Sequence, residues 1–479
     1  MSAATKNART SSHPLAGAAA GVTGRVVGRT LQLLFPTTSA KGRALRMAAL
    51  TAGVTGSYVG YMVQRLFLGE ERRERKRRAT DAKVGRRIRD ELQLLRGPAM
   101  KFGQALSLHT DIVPEDLLSE LAKLQMEAPG MHPSLALAQF KSSLGRQPDE
   151  VFKRFDPEPF AAASLGQVHH ATRRDGTPVA VKIQYPNIRT AVENDFKWVR
   201  TMSKPMLVSG HADTRVLDEL ERQILAETDY VREADNIEFF RARLKPLDFV
   251  AVPAVYRDES TDQVLTMSVV AGEHLETFLA RKPSQRLRDE IGSRLFELFF
   301  FQKLVLEALH ADPHRGNYLF SRDGTIGLVD FGCVKYLNHE FVENLHKLYL
   351  YPGRYDSAEY QRLLEAVNGK MRPAVRRAMT SFAERFYRKV FPPSPEDDTQ
   401  PFDFSDATFM RDFLREMSRL FRVKYTLPEH LFITRAEIGL YTTLHRLKAR
   451  VPTSAIARRM LTERRARAAA APQQRKPLA

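Results

Sequence analysis

One stretch constrains this chain more than any other: His310-Ala311-Asp312-Pro313-His314-Arg315-Gly316-Asn317, followed thirteen residues after its Asn by Asp330-Phe331-Gly332. The residues between read as a hairpin. Tyr318 to Phe320 predicts a short strand, Arg322-Asp323-Gly324 its turn, and Thr325 to Val329 the returning strand. Such a hairpin returns Asp330 to the side of Asn317, so that two oxygen ligands share Mg²⁺ on the phosphates of a nucleotide. Asp312 then stands where an attacking group is positioned or deprotonated. A loop rich in Asp and His is by itself commonly structural. The Asp-Phe-Gly at hairpin distance is what gives the pattern a chemical meaning.

An Asp, an Asn five positions on, a hairpin and Asp-Phe-Gly form the layout of a kinase-type phosphoryl-transfer site. The upstream sequence predicts its other half. Phe160 to His169 precedes a turn at Arg174-Asp175-Gly176, and Pro178-Val179-Ala180-Val181-Lys182-Ile183 follows. Strand, small-residue loop, strand, turn and a strand with Val-Ala-x-Lys open a kinase N-lobe. Ala161, Ala162, Ala163 and Ser164 occupy that loop, where a protein kinase places glycines. Backbone amides still approach phosphates past alanine, but the loop is stiffer and a methyl intrudes. Altered nucleotide preference or slower turnover is expected, with binding kept.

Lys182 supplies the point charge for the α/β-phosphates. A helix carboxylate must orient it, because a buried lysine without a partner is costly and badly aimed. Asp213 to Leu244 reads as a charged amphipathic helical region with Leu217, Leu220, Ile224 and Leu225 as its stripe. Within it Glu227 and Glu233 are both candidates. Val264 to Val270 predicts the last N-lobe strand, leading to a hinge at Ala271-Gly272. Backbone groups near Met267 and Val269 would read the adenine edge. After Cys333 there is no Ala-Pro-Glu and no long activation segment, and Ala311 stands where protein kinases carry an Arg before the Asp. These absences argue against a regulated kinase of protein substrates while leaving the phosphate and metal apparatus intact.

The chain has 479 residues and a net charge of +18. That charge implies a polyanionic partner: nucleic acid, anionic lipid or a phosphorylated ligand. The single cysteine, Cys333, excludes an internal disulfide framework and reads as a buried small hydrophobe. The first acidic residue is Glu70, so the start is basic and rich in Ser and Thr, as in an organellar transit peptide or a basic bacterial arm. Residues 47–68 are a candidate membrane helix, with Gly56 and Gly60 forming a Gly-x-x-x-Gly through which a homodimer would pack. The run Arg72-Arg73-Glu74-Arg75-Lys76-Arg77-Arg78 suits anionic headgroups and predicts that the rest of the chain stays on the cytosolic or matrix side. No aromatics interleave it, which speaks against nucleic acid. The expected organisation is a basic arm (1–46), the membrane helix (47–68), a helical extension (69–150), an N-lobe (151–270), a helix-rich C-lobe (271–450) and a basic tail (451–479), frayed from Arg458: an α+β, bilobal protein-kinase-like fold.

Taken together the motifs resemble those of the UbiB/AarF atypical kinase-like proteins, over about residues 90 to 445. Lys101-Phe102-Gly103-Gln104 resembles that family's KxGQ signature, Ala161 to Ser164 its Ala-rich loop, Glu227-Thr228-Asp229 its ExD element, and His310 to Asn317 its HADPHPGN loop. The resemblance implies an N-terminal helical extension folded over the nucleotide cleft. Lys101 and Gln104 would gate the site with Glu227 and Asp229 as partners, which leaves Glu233 as the mate of Lys182. It also implies ATP with Mg²⁺ or Mn²⁺, ATPase activity and membrane association. The partners implied are quinone-biosynthesis enzymes or a lipid intermediate. Arg315 departs from the family's Pro and is expected to add a cation beside the phosphates; Ser268 replaces a Glu after the Met. The expected function is an atypical kinase-like ATPase supporting ubiquinone synthesis or lipid handling. A non-catalytic nucleotide-sensing scaffold and a small-molecule kinase are the alternatives.

Overall fold

The computed structural model of the protein describes residues 40–65, 68–95, 120, 131–163, 165–208, 214–312, 314–392, 394, 400–422 and 428–470. Lys101, Gln104 and Ser164 lie outside the described residues, so the expected gating element is not placed.

The chain opens with two helices, α1 (Ala40–Arg65) and α2 (Glu70–Leu95), packed as a hairpin. Several polar contacts join them, and Leu50 and Val84 are buried as well. Buried Arg46 pairs with Glu91 at 2.9 Å, Tyr58 donates to Asp81 at 2.9 Å, and Gly53 abuts the Arg87 guanidinium. No helix among the described residues is long and apolar enough to cross a membrane. The candidate span at 47–68 is thus corrected: moderate hydropathy and inward-facing polar groups suit a helix seated on α2. Gly56 and Gly60 have open space where a side chain would stand.

Helix α3 (Pro133–Leu144) starts on a proline and ends at Gly145, whose φ of 73° is a conformation that favours glycine. Its Phe140 packs with Phe152, Val179, Val181 and Ile183 beneath the first sheet. That sheet is antiparallel, in the order β1 (Arg154–Ala163), β2 (Gly166–Thr172), β3 (Pro178–Gln184), β5 (Val264–Ser268). Ala161, Ala162 and Ala163, expected in a loop, are paired strand residues opposite Val168, Gln167 and Gly166. Alanine disfavours a strand less than a run of glycines does, and the pairing extends to the tip of the hairpin.

Between β3 and β5 lie α4 (Ile188–Val208), α5 (Thr214–Ala226) and α6 (Tyr230–Arg243). The expected continuous helical region is interrupted at Glu227-Thr228-Asp229. Asp229 caps α6 by accepting from Arg232 N at 3.1 Å, and an aspartate there starts a new helix more readily than it continues an old one. The short strand β4 (Val250–Ala251) joins the sheet of the second lobe.

The second lobe begins with α7 (Leu275–Ala280) and α8 (Gln285–Phe300), which runs into a π-helical turn, Phe301–Leu306. Three short strands follow: β6 (Ala308–His310), β7 (Tyr318–Phe320) and β8 (Ile326–Leu328), with β7 and β8 forming the expected hairpin. Strand β9 (Val334–Tyr336) pairs with β6, and Asn338 at once caps α9 (His339–Tyr349), leaving no room for a long activation segment. Helices α10 (Ala358–Asn368), α11 (Pro373–Phe382), α12 (Ala407–Arg422), α13 (Pro428–Leu447) and α14 (Thr453–Ala470) complete the chain. The fraying expected from Arg458 is therefore corrected over 458–470. Ile456, Ala457 and Met460 are buried, and buried Arg464 pairs with Glu307 and Glu343 at 2.8 Å each. One continuous apolar core runs from Ile237 and Phe240 of α6, through Leu265 and Met267, to Leu440 and Tyr441 of α13, tying the lobes together.

Candidate active site

Strand β3 brings Lys182 to the cleft with Val168 and Leu265 on either side. Its ammonium lies 2.8 Å from both carboxylate oxygens of Glu233 and 3.2 Å from Oδ2 of Asp330. The ring of Tyr230 stands beneath it, 4.9 Å from Nζ. Of the two helix carboxylates weighed from sequence, Glu233 is the one beside Lys182. Burial penalises both charges. For Lys182 the neighbouring Asp330 and Glu233 carboxylates outweigh burial and hold its pKa well above the usual lysine range. For Glu233 burial wins over the pull of Lys182, and its pKa rises to about 7.

The cap at Asp229 aims this arrangement. It starts α6 so that Glu233 falls one turn in and Asn236 three residues further on the same face. Asn236 donates to the Phe331 carbonyl at 3.0 Å and accepts from Tyr336 at 3.1 Å, tying α6 to the Asp-Phe-Gly. Phe331 is fully buried between His310 and Phe240, each ring 5.3 Å away. His310 donates from Nε2 to the Asp330 carbonyl, and its own backbone N–H donates to Gln302 at 2.9 Å. The first residue of the motif therefore fixes the backbone that presents Asp330.

Asp312 and Asn317 meet as expected within the loop: Asn317 Nδ2 donates to Asp312 Oδ2 at 2.9 Å, which turns the side-chain amide oxygen of Asn317, Oδ1, away from that bond. The Asp330 Oδ1 accepts from Gly332 N at 3.0 Å. The hairpin sets Asn317 next to Val329, whose N–H donates to the backbone carbonyl of Asn317 at 3.2 Å. Among the described residues no three His, Cys, Asp or Glu side chains form a self-sufficient metal site. One amide and one carboxylate oxygen fit a Mg²⁺ that takes its remaining ligands from phosphates and water.

Other residues named from sequence fall elsewhere. Arg315 donates to Glu276 of α7 at 2.8 Å, and Arg446 of α13 binds the same carboxylate, so Arg315 is not a free cation beside the phosphates. Buried Glu227 lies against Gly332, whereas Asp229 serves as the helix cap. Met267 is buried opposite Ala180 at the back of the cleft, and Val269 is exposed just beyond β5. Cys333 is buried against Ala311 and Phe432.

Sequence reasoning missed Asn236, Tyr230 and Arg435. The spacing of Asn236 from Glu233 was a readable signal; Arg435 offered none. It reaches the site from α13, with Nη2 3.7 Å from Asp312 Oδ1.

The ABC1 atypical kinase-like domain family model matches residues 123–364. The chain belongs to this family. It is 33% identical over 270 residues to the chloroplastic protein ACTIVITY OF BC1 COMPLEX KINASE 7 of Arabidopsis thaliana, covering 55% of this chain and 38% of the relative. It is 34% identical over 253 residues to the probable protein kinase UbiB of Pseudomonas paraeruginosa, covering 51% of this chain and 47% of that one. The chain thus spans less than half the length of these curated relatives. Among solved structures, the Rv3197–erythromycin complex from Mycobacterium tuberculosis matches with a TM-score of 0.55 and 28% identity, covering 77% of this chain and 93% of that one. The α+β, kinase-like architecture of the family member is therefore shared with a solved relative.

Proposed function

We propose that this family member is an ATP-dependent phosphoryl-transfer protein, an ATPase or atypical kinase. Its acceptor is water or a membrane-derived small molecule, and its role is to support isoprenoid-quinone synthesis or lipid handling. The observation that carries this reading is the convergence of Lys182, Glu233 and Asp330 within 3.2 Å, beside the bonded pair Asp312 and Asn317. In this reading Lys182 holds the α/β-phosphates and Glu233 orients it. Asn317 and Asp330 hold Mg²⁺, which when bound offsets charge on the β- and γ-phosphates. Asp312 positions the acceptor and takes its proton. Ala161, Ala162, Ala163 and Ser164 lie over the phosphates, and the backbone near Met267 and Val269 meets the adenine. Lys101 and Gln104 restrict what enters.

Anionic lipid is the proposed surface partner. Val59, Met62 and Val63 at the end of α1 are more than half exposed, and the arginines that open α2 follow closely in the chain. Quinone-pathway enzymes or a lipid intermediate would then meet the site at that surface, on the cytosolic or matrix side.

Phosphate release from Mg-ATP by the purified chain, with and without anionic liposomes, tests the reading. Turnover that rises with liposomes and vanishes in Asp330→Asn supports it. ATP binding without any phosphate release would instead favour a nucleotide-sensing scaffold. Quinone profiling by mass spectrometry after gene deletion tests the pathway.

A further inference from the structure

The residue before the Asp of the catalytic loop is Ala311, fully buried against Cys333 and Phe432. Phe432 belongs to α13, so this distant helix is anchored directly on the loop. Arg435 is three residues further along α13 and shares that face. Its side chain is only 12% exposed, and it reaches Asp312 at 3.7 Å. That distance is long for a charge-assisted hydrogen bond, which runs to roughly 2.7–2.9 Å. The Asp312 oxygens already accept from Asn317 at 2.9 Å and from His314 N at 3.3 Å. The Nε of Arg435 is buried with no hydrogen-bond partner among the described residues. A guanidinium held this deep with its Nε donor unfilled carries a desolvation cost. A phosphate oxygen, planar-matched to the fork, would offset it.

We propose that Arg435 contacts the transferring γ-phosphoryl group, supplying from the C-terminal helix a cation that the catalytic loop lacks next to Asp312. The proposal rests on the ATP reading given above. In the step it assists, the acceptor oxygen forms a bond to the γ-phosphorus as the bond to the β–γ bridging oxygen breaks. The electron pair leaves with ADP, and the acceptor's proton passes to Asp312. Arg435 neutralises charge on the phosphoryl oxygens during that exchange, as an arginine supplied in cis does in other phosphoryl-transfer sites.

The test uses Arg435→Ala and Arg435→Lys in the full chain, each checked by thermal melting. Mg-ADP affinity should stay within about threefold of the parent, while kcat for phosphate release falls by ~10²-fold or more in the alanine variant. The preference for Mg-ATP over Mg-ADP should shrink, and added guanidinium should restore part of the lost turnover. A merely structural role would weaken both nucleotides together and would not respond to guanidinium; that result overturns the proposal, as does a kcat within about threefold of the parent. If the alanine variant does not fold, the lysine variant is judged by its ATP-to-ADP affinity ratio and kcat. If the parent binds both nucleotides but releases no phosphate, the catalytic reading fails by itself. Arg435 is then judged on the affinity ratio, and an unchanged ratio overturns its role. A parent that binds no nucleotide overturns both.

Discussion

The ammonium of Lys182 lies 3.2 Å from the carboxylate of Asp330, across 148 residues of chain, while also resting 2.8 Å from Glu233. Two carboxylates face one ammonium, with Lys182 and Glu233 buried and Asp330 partly exposed. Asp330 would hold the metal together with Asn317, and Glu233 keeps Lys182 oriented toward the phosphates. Asp330→Asn should therefore abolish Mg-ATP turnover, by roughly 10²-fold or more in kcat/KM. Retained turnover in the purified variant, measured as phosphate release, would sink the assignment.

The pair Lys182–Glu233 also predicts a pH dependence. Burial raises the Glu233 pKa to about 7, above its ordinary 4.5. The protonated form is thus favoured by folding. This group's share of stability is full below its unfolded pKa and is lost as pH rises through about 7. Orientation of Lys182 needs the ionised form and moves the other way. The pH–rate profile of the parent should show turnover falling as pH drops through about 7, and that limb should be missing in Glu233→Gln.

Lys303 sits on the π-helical turn with its ammonium 4.0 Å from the rings of both Phe300 and Tyr349. It has no hydrogen-bond partner among the described residues, and burial lowers its pKa to about 7 despite the nearby Glu437. The unfolded chain therefore binds more protons than the folded one between about 7 and the ordinary 10.5, so this residue's cost to stability fades as pH rises through that window. Lys303→Met should raise the melting temperature at pH 7 by several degrees and by less at high pH. Melting curves at the two pH values decide it, and an equal shift at both would refute the account.

Asp229 caps α6, on which Glu233 is carried. Asp229→Ala should cost about 1 kcal/mol, and Asp229→Asn much less, because asparagine also caps well. Denaturant titration measures both. Equal losses would mean that the charge of Asp229, rather than its cap, is what matters.

The exposed Val59, Met62 and Val63, close in the chain to the basic start of α2, predict binding to vesicles containing anionic lipid, weakening with salt. Replacing the three by Ser should reduce cosedimentation severalfold while leaving Mg-ADP affinity unchanged. If neutral vesicles capture the chain equally well, the electrostatic part is wrong.

The parts of the fold most legible in sequence were those set by local rules. The hairpin between Asn317 and Asp330 follows from turn chemistry at Asp323-Gly324, and β3 from its unbroken apolar run around Lys182. What failed depended on distant partners. Residues 47–68 looked lipid-facing because Arg87 and Asp81, which they meet, sit on another helix. The basic tail looked unstructured because Glu307 and Glu343, which bind Arg464, are more than a hundred residues away. Ala161 to Ala163 looked like a loop by analogy with glycine, although alanine opposes strand pairing less than glycine does.

Helix α13 lays Phe432 on Ala311 and points Arg435 at Asp312, and α14 clamps the turn before His310 through Arg464. All of these contacts come from the last fifty or so residues of the chain. A fragment ending soon after the Asp-Phe-Gly would keep every recognisable signature yet lose the helices that seat them. For dissection of this protein into working pieces, the smallest recognisable piece is not the smallest competent one.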